Sequence, residues 1–363
     1  MTENSVDDNE YSFSGKIAIV TTVDNEDNWH SVEHLVSKYG AEKILHVIWP
    51  KDFITAQKQM IDIIATLAAD RDIKALIINQ ALPGTNAAID NLKESRDDIY
   101  LVFCGIHESP PQAALRANLM FDTDLPGMGR AIVLQAKKQG AKVFVHYSFP
   151  RHMSILELSG CRNMIQKTCG EEDIKFVDST APDPRGEAGN DAAEQFIIED
   201  VPKLVAMYGE NTCFFCTNCS LQIPLIKAVV DNHAIFSQQC CPSPLHGFPE
   251  ALGINNIERP VDLSYVISEI GNIAAEKNMT DRLSTWPVSA SMMYTIAGAE
   301  YAIKCIKGEV PRNGINERVL QDCMSDYVKK VIGESVEVSM TSYSEGGKTY
   351  DKFKLLLMAY LDY

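Results

Sequence analysis

Residues 120–152, MFDTDLPGMGRAIVLQAKKQGAKVFVHYSFPRH, contain the start of the second of two series of alternating strands and helices. A helix predicted from Gly127 to Gln139 separates the short apolar run at 118–121 from the strand KVFVHYS at 142–148. Strands that are apolar on both faces and alternate with helices are typical of a parallel sheet covered on both sides. The stretch therefore indicates an α/β unit with a doubly wound sheet.

The same alternation continues towards both ends of the chain. The other expected strands are KIAIV (16–20), KILHVIW (43–49), KALIIN (74–79) and IYLVFC (99–104) upstream, and IKFVDS (174–179), TCFFCT (212–217) and HAIFSQ (233–238) downstream. Two consecutive series predict two doubly wound, Rossmann-like lobes with a cleft between them. The last segment predicts a β-hairpin that turns at Glu345-Gly346-Gly347.

Composition narrows the classes of function. The chain has 363 residues, 45% hydrophobic and 23% charged, which is ordinary for a globular protein. A net charge of -16 argues against nucleic acid as a partner. We expect no membrane insertion, since the apolar runs are far shorter than the roughly 20 residues of a spanning helix. The polar N-terminus, and the apolar contexts of several of the ten cysteines, predict a cytoplasmic protein. The alternative is an exported or lipid-anchored protein, if a signal peptide has been removed.

Five segments carry a resemblance to a known superfamily. They are DIKALIINQALPGTNAAIDNL (72–92), the stretch at 120–152, FVDSTAPDPRGEAGNDAAEQFI (176–197), TCFFCTNCSLQIPLIKAVVDN (212–232) and WPVSASMMYTIAGAEYAIKCIKGEVP (286–311). They resemble the type I periplasmic-binding-protein superfamily, which includes sugar-binding proteins and lactose-repressor-type sensor domains. The resemblance covers about Lys16 to Gly314, and it implies two lobes that close over a solute by hinge motion.

With this resemblance, we expect four parts along the chain. They are a disordered tail at 1–14, a first lobe formed by 15–123 and 285–335, a second lobe at 124–284, and a C-terminal hairpin extension at 336–363. The chain departs from the superfamily where sugar binders usually show Asn-Asp, since it has Asn218-Cys219 there. Sugar is therefore one ligand class among several, and we expect no DNA-binding head.

Ligands of open α/β sheets bind outside the carboxyl ends of the strands. That rule selects polar and aromatic side chains that follow the strands of each lobe. The predicted ligand-binding residues of the first lobe are Thr22, Asp24, Trp29, Asn79, Gln80, His107 and Glu108, and those of the second are Tyr147, Arg151, His152, Asp183, Arg185, Asn218, Gln238 and Gln239. Their mixture suits a small polar molecule of the sugar, amino-acid or nucleoside class, with Trp29 or Tyr147 stacked on it.

Two glycine-containing turns could bind an anion at a helix start. Gly84-Thr85 opens a helix directly after a strand, and Gly127-x-Gly129 also precedes a helix. The second lacks the third glycine of a dinucleotide fingerprint. Ordinary turn chemistry explains such patterns more often than anion binding does.

The cysteines raise three alternatives to simple solute binding. CTNCSLQIPLI (216–226) is similar to the second cysteine motif of the glutamate racemase family, whose mechanism needs two opposed thiols, but the position that matches the first is Asn79. Cys104 could act as a nucleophile with His107 as its base. Cys216 or Cys219 could also meet Cys240 or Cys241 and His246 around a metal, whereas Cys213 and Cys216 point to opposite faces of a strand.

These observations favour a non-enzymatic protein that binds a small polar solute. Its partner would be a transporter if the protein is exported, or a regulatory protein if it acts as a cytoplasmic ligand sensor. We expect no catalytic residue, no cofactor and no metal. The alternatives are a cofactor-independent amino-acid racemase that uses cleft cysteines, and a ligand-sensing transcriptional regulator without its own DNA-binding head.

Overall fold

The chain forms two compact units in the computed structural model, which describes residues 12–22, 26–52, 55–255, 257 and 260–363. The first unit contains Met1–Thr123 and Ala290–Leu356, and the second contains Asp124–Ser289 and Leu357–Tyr363. The chain therefore passes between the units at three points along its length.

The unit boundaries differ from the expected lobes in two places. Residues 285–289 lie with the second unit, and the C-terminal segment from 336 onward is divided between the two units rather than forming a separate extension. Of the expected disordered tail, residues 1–11 lie outside the described residues.

The strands are short, and the helices between them cover the sheets. In chain order the strands are β1 (Lys16–Thr21), β2 (Ile44–Ile48), β3 (Ile73–Ile78), β4 (Tyr100–Cys104), β5 (Leu119–Thr123), β6 (Val143–Ser148), β7 (Lys175–Thr180), β8 (Thr212–Cys216), β9 (Ser284–Thr285), β10 (Val338–Glu345), β11 (Lys348–Met358) and β12 (Leu361–Asp362). The helices are α1 (Glu26–Tyr39), α2 (Gln57–Ala69), α3 (Thr85–Lys93), α4 (Pro110–Ala114), α5 (Leu125–Lys138), α6 (Pro150–Met153), α7 (Leu156–Glu171), α8 (Gly189–Tyr208), α9 (Gln222–Asp231), α10 (Phe248–Leu252), α11 (Leu263–Glu276), α12 (Ala290–Ile306) and α13 (Glu317–Ile332).

A seven-stranded sheet forms the centre of the first unit, in the order β10-β11-β5-β4-β3-β1-β2. Strands β2, β1, β3, β4, β5 and β11 pair in parallel. Every residue of β4 is buried, because helices cover both faces of the sheet. Helix α12 packs so closely on one face that a Cβ added to Gly298 would lie 3.0 Å from Val102 Cγ1.

The predicted C-terminal hairpin is confirmed, and it joins the first sheet. Gly346 and Gly347 have φ values of 59° and 76°, so both turn residues are left-handed, as a tight two-residue hairpin turn requires. Strand β11 then pairs in parallel with β5, with Phe353 opposite Met120. The hairpin therefore covers an edge that β5 would otherwise expose.

A smaller sheet forms the centre of the second unit, with β6 between β7 and β8 and all three strands parallel. Parallel bridges at Cys213–Ile235 and Phe236–Leu283 continue it, so the strand expected at 233–238 is present only as isolated bridges. Strands β9 and β12 form an antiparallel pair.

The predicted fold class is therefore confirmed, with a doubly wound parallel sheet in each unit. Within the described ranges, no helix has both the length and the apolar character needed to cross a bilayer.

Candidate functional site

The carboxyl edge of the first sheet carries a hydrogen-bonded network of polar side chains. Asn79 follows β3 and is buried, and its Nδ2 donates to the Ser291 carbonyl oxygen (3.0 Å) and to Thr295 Oγ1 (2.5 Å). Ser291 Oγ donates to Asn28 Oδ1 (2.7 Å), and Asn28 Nδ2 lies 3.4 Å from Thr22 Oγ1. The network thus ties the ends of β1 and β3 to the start of α12.

Sequence reasoning selected Thr22 and Asn79 from this network but missed the side chains on the two helix starts. Asn79 Oδ1 is buried and has no hydrogen-bond partner among the described residues. Burying an amide oxygen without a hydrogen-bond partner costs free energy, because the oxygen loses its hydration and gains nothing in return. A hydroxyl group of a ligand, or a water molecule, that donates to Asn79 Oδ1 would therefore be stabilised.

Three further predicted residues of this edge are at least partly accessible. Trp29 is half-buried, with its ring edge-to-face against His46 at 4.9 Å between centroids. Gln80 is half-buried and His107 is exposed. Asp24 lies outside the described residues.

Glu108 caps a helix. Its carboxylate accepts hydrogen bonds from the N–H groups of Gly84 (3.1 Å) and Asn86 (2.7 Å) at the start of α3. A carboxylate at this position satisfies N–H groups that have no partner within the helix and interacts favourably with its dipole. The turn at Gly84-Thr85 is therefore occupied by an anion of the chain itself, which leaves no open phosphate site there.

The carboxyl edge of the second sheet presents an arginine–aspartate pair. Arg151 donates from Nε and Nη2 to the two carboxylate oxygens of Asp183, at 2.8 and 2.7 Å, and its guanidinium lies 5.0 Å from the Phe149 ring centroid. The Arg151 hydrogen bonds, with the N–H of Arg185, lower the pKa of Asp183 to about 2. The side chains are 40% and 22% exposed, so the pair is fixed in geometry yet open to solvent.

Beside this pair lies a chain of hydroxyl and imidazole groups. Thr217 Oγ1 is 2.8 Å from Ser148 Oγ and 3.0 Å from His152 Nδ1, and burial lowers the pKa of His152. Asn218 caps the short 3-10 turn that precedes α9, because its Oδ1 accepts from the N–H of Ser220 at 3.0 Å.

Three predicted residues of the second unit have contacts typical of a core. The Tyr147 ring is buried against Phe214, and its hydroxyl donates to Asp200. Gln238 accepts a hydrogen bond from the Tyr360 hydroxyl. Gln239 donates hydrogen bonds to the carbonyl oxygens of Ser243 and His246. These three side chains are therefore buried below the carboxyl edge and support it.

A cluster of thiols lies at the same edge. Cys219, at the start of the 3-10 turn, has its Sγ 3.4 Å from Cys240 Sγ and 4.0 Å from Cys241 Sγ. Hydrogen bonds from these thiols and from His246 lower the pKa of Cys219. By contrast, burial raises the pKa of Cys216 to about 12. The sequence suggested this cluster as one alternative but did not favour it, because residue spacing alone does not show that Cys219 and Cys240 lie together.

The cysteines invoked for catalysis are deeply buried. Cys104 is fully buried, and burial together with the Asp122 charge raises its pKa well above the ordinary value. Cys216 is also buried, and its sulfur lies 3.4 Å from Gln222 Nε2. A nucleophilic or proton-abstracting thiol needs access and thiolate character, which these surroundings oppose.

A concavity of about 580 Å³ lies on the first unit between α1, α12 and α13, and it contains none of the predicted residues. Glu300 accepts from Lys38 Nζ at 2.7 Å and from the Tyr39 hydroxyl at 2.6 Å, and Lys304 pairs with Glu309. Four of the charged side chains that line the concavity thus form two ion pairs, which makes it a weaker candidate for a solute than the strand ends.

Three solved structures share the fold. A candidate transcriptional regulator from Clostridium difficile 630 aligns with 97% of this chain and 100% of its own, at a TM-score of 0.85 and 21% identity. A sugar ABC transporter protein from Actinomyces odontolyticus aligns with 82% of this chain and 84% of its own (TM-score 0.54, 7% identity). A periplasmic solute-binding protein from Actinobacillus succinogenes, with D-allose bound, aligns with 82% of this chain and 94% of its own (TM-score 0.50, 14% identity). They confirm the predicted type I periplasmic-binding-protein-like fold.

Sequence relatives come from Treponema pallidum (strain Nichols). One uncharacterized protein is 31% identical over 193 residues, which is 53% of this chain and 87% of that protein. A second is 35% identical over 143 residues, 39% of this chain and 65% of that protein. The model of a family described as proteins of unknown function (DUF3798) matches residues 15–284, and the chain therefore belongs to the DUF3798 family.

Proposed function

We propose that this protein binds a small, uncharged, polyhydroxylated solute and does not turn it over. The observation that carries the proposal is the Arg151–Asp183 pair at the carboxyl edge of the second sheet, where ligands of open α/β sheets bind. The pair is rigid because two parallel hydrogen bonds and the Phe149 ring hold the guanidinium in one plane.

The pair favours a neutral polyol over an anion. Asp183 already balances the charge of Arg151. A carboxylate or phosphate of a ligand would therefore have to compete with the Asp183 carboxylate for the guanidinium. The guanidinium still has N–H donors and the carboxylate still has lone pairs that the pair does not use. Fixed donors beside fixed acceptors match the hydroxyls of a vicinal diol, each of which donates and accepts.

The first unit offers groups of the same kind. Trp29 is half-buried at the edge and can cover an apolar sugar face, and Thr22 carries a half-buried hydroxyl. The Actinobacillus protein with the shared fold holds D-allose, which supports this ligand class for the present chain. Closure of the two units by hinge motion on binding is part of the same proposal.

The test is a calorimetric titration of neutral sugars and polyols, with D-allose as the first probe, alongside amino acids and nucleosides. We expect a polyol to bind, and Arg151→Ala to weaken it about 10- to 100-fold, or about 1.4–2.8 kcal/mol. Arg130→Ala is the matched control, because Arg130 is an exposed arginine of the same unit that pairs with Glu171 away from the predicted residues.

Equal losses in the two arginine variants would contradict the assignment of the site. Binding of an amino acid with loss of its optical activity over time would instead support the racemase alternative. Small-angle scattering with and without the bound solute tests closure, since hinge motion reduces the radius of gyration.

The partner depends on the compartment. If cell fractionation finds the protein in the envelope, we propose that it presents the solute to a transporter. If fractionation finds it in the cytoplasm, we propose a sensor or carrier whose bound form is recognised by a regulatory protein.

A further inference from the structure

Three sulfur atoms of the second unit form a compact triangle. The Cys219–Cys240, Cys219–Cys241 and Cys240–Cys241 Sγ distances are 3.4, 4.0 and 3.9 Å. Two thiolates on one tetrahedral zinc ion, each about 2.3 Å from the metal, lie about 3.8 Å apart. The triangle therefore has the dimensions of one face of a zinc tetrahedron.

His246 supplies a nitrogen beside the triangle. A ring nitrogen of His246, Cys219 Sγ and Cys240 Sγ all lie within 4.8 Å of one another. The Nδ1 atom is 2.9 Å from the Cys241 carbonyl oxygen. A histidine that donates from Nδ1 to a main-chain carbonyl has its ring orientation and tautomer fixed, with Nε2 as the ligand atom, and this is the usual arrangement of a metal-binding histidine.

The two segments that carry these groups are held in place by the fold. Asn218 caps the turn that begins at Cys219. The loop from 240 to 246 is tied down by Gln239, which is fully buried and donates from Nε2 to the carbonyl oxygens of Ser243 (2.9 Å) and His246 (2.8 Å). The donors are thus preorganised by hydrogen bonds that do not involve a metal.

We propose that Cys219, Cys240 and His246 bind a thiophilic divalent metal ion of the zinc class, with Cys241 as the fourth donor. Thiolate and imidazole ligands in a tetrahedral arrangement select zinc over calcium and magnesium, which need oxygen ligands. Bound there, the ion joins the loop at 240–246 to the 3-10 turn that precedes α9. The metal proposal does not depend on the solute proposed above.

The experiment uses the full-length, reduced, metal-free protein titrated with Co²⁺, which reports thiolate coordination through its charge-transfer absorption and tetrahedral geometry through its d–d bands. We expect one equivalent of Co²⁺ to bind and Zn²⁺ to displace it. Cys219→Ser and Cys240→Ser should each weaken the charge-transfer band, with a larger loss of affinity than the roughly 10- to 100-fold typical of an outer-shell partner.

Cys305→Ser is the matched control, because Cys305 is a partly exposed cysteine of the first unit. Circular dichroism of each variant establishes that it is folded, and Cys241→Ser, which changes an exposed position, gives a second folded variant with a weakened band. Absence of the band in the parent protein, or a band that Cys219→Ser leaves unchanged, would overturn the proposal. So would recovery of a Cys219–Cys240 disulfide from protein prepared in reductant. Because the metal alone is the probe, this result does not depend on which solute binds.

Discussion

Arg96 is a buried charged residue on which the stability of the first unit depends. Its side chain is 1% exposed, and its guanidinium donates to the carbonyl oxygens of Ala68 (3.0 Å), Asp70 (3.2 Å) and Ile73 (2.9 Å) and to the carboxylate of Asp98. Arg96→Met keeps the apolar stem but removes these hydrogen bonds, and the Asp70 carbonyl oxygen then keeps its hydrogen bond from the Ile73 N–H (3.2 Å). We expect a loss of about 3–5 kcal/mol in the free energy of unfolding, measured by urea denaturation.

Arg130→Met serves as the control for that loss. Arg130 is 51% exposed and pairs with Glu171 at the surface, so its removal should change the free energy of unfolding by less than about 1 kcal/mol. A similar small loss in both variants would mean that water replaces the Arg96 hydrogen bonds.

His34 makes the stability of the first unit depend on pH. Burial, with the charges of Lys330, His30 and Lys38, lowers its pKa to about 3. The unfolded chain takes up a proton near pH 6.5 while the native chain does not, so the stability is lost as pH falls from about 6.5 towards 3. We expect a loss of about 1–2 kcal/mol between pH 6.5 and 5 from this residue, at 1.36 kcal/mol per unit of pH with allowance for partial exposure.

The measurement compares urea denaturation of the parent protein and His34→Gln at both pH values. The variant should lose less stability on acidification. Identical pH dependence in the two proteins would show that His34 is protonated equally in the folded and unfolded states.

At the scale of elements, two glycines in helices are expected to respond oppositely to the same change. A Cβ at Gly298 in α12 would meet Val102 at 3.0 Å, whereas a Cβ at Gly160 in α7 has nothing within 4 Å. Gly298→Ala should therefore cost about 1 kcal/mol, since crowding exceeds the gain in helix propensity. Gly160→Ala should stabilise by about 0.5–1 kcal/mol. Thermal unfolding of both variants tests the difference, and stabilisation by Gly298→Ala would mean that α12 can move off the sheet.

The elements were predictable where burial is continuous. Runs such as 16–20, 74–79 and 99–104 are apolar on both faces, and only a central parallel strand has such surroundings. The run at 233–238 is also buried over 234–238, yet it forms bridges rather than a strand, because burial alone does not specify pairing.

The site was less predictable than the fold. The rule that ligands bind at carboxyl ends selects an edge, but it does not tell which way each side chain points. Tyr147 and Arg151 follow the same rule, and one is a core residue while the other is 40% exposed. The contacts among Cys219, Cys240 and His246 depend on how two distant loops meet, which residue spacing does not reveal.

At the scale of the whole molecule, the last five residues should stabilise only one unit. They follow β11 and lie with the second unit, where the Tyr363 ring packs 5.6 Å from Phe248 and its main chain exchanges hydrogen bonds with Asp281 and Leu283. Deleting 359–363, which leaves β11 complete, should lower the free energy of unfolding of the second unit by about 3 kcal/mol. Hydrogen exchange should then accelerate around 263–285 and not in β3 or β4. Uniform acceleration in both units would show that they unfold as one.

The pairing of β11 with β5 has a consequence for how the protein is made. During synthesis β5 leaves the ribosome roughly 230 residues before its partner, a delay of roughly 10–50 s at about 5–20 residues per second. Throughout that interval the nascent first unit presents an unpaired, apolar strand edge, which is a template for pairing with another chain. Cellular yield should therefore be limited by chaperone capacity during translation, even for variants whose finished form is fully stable.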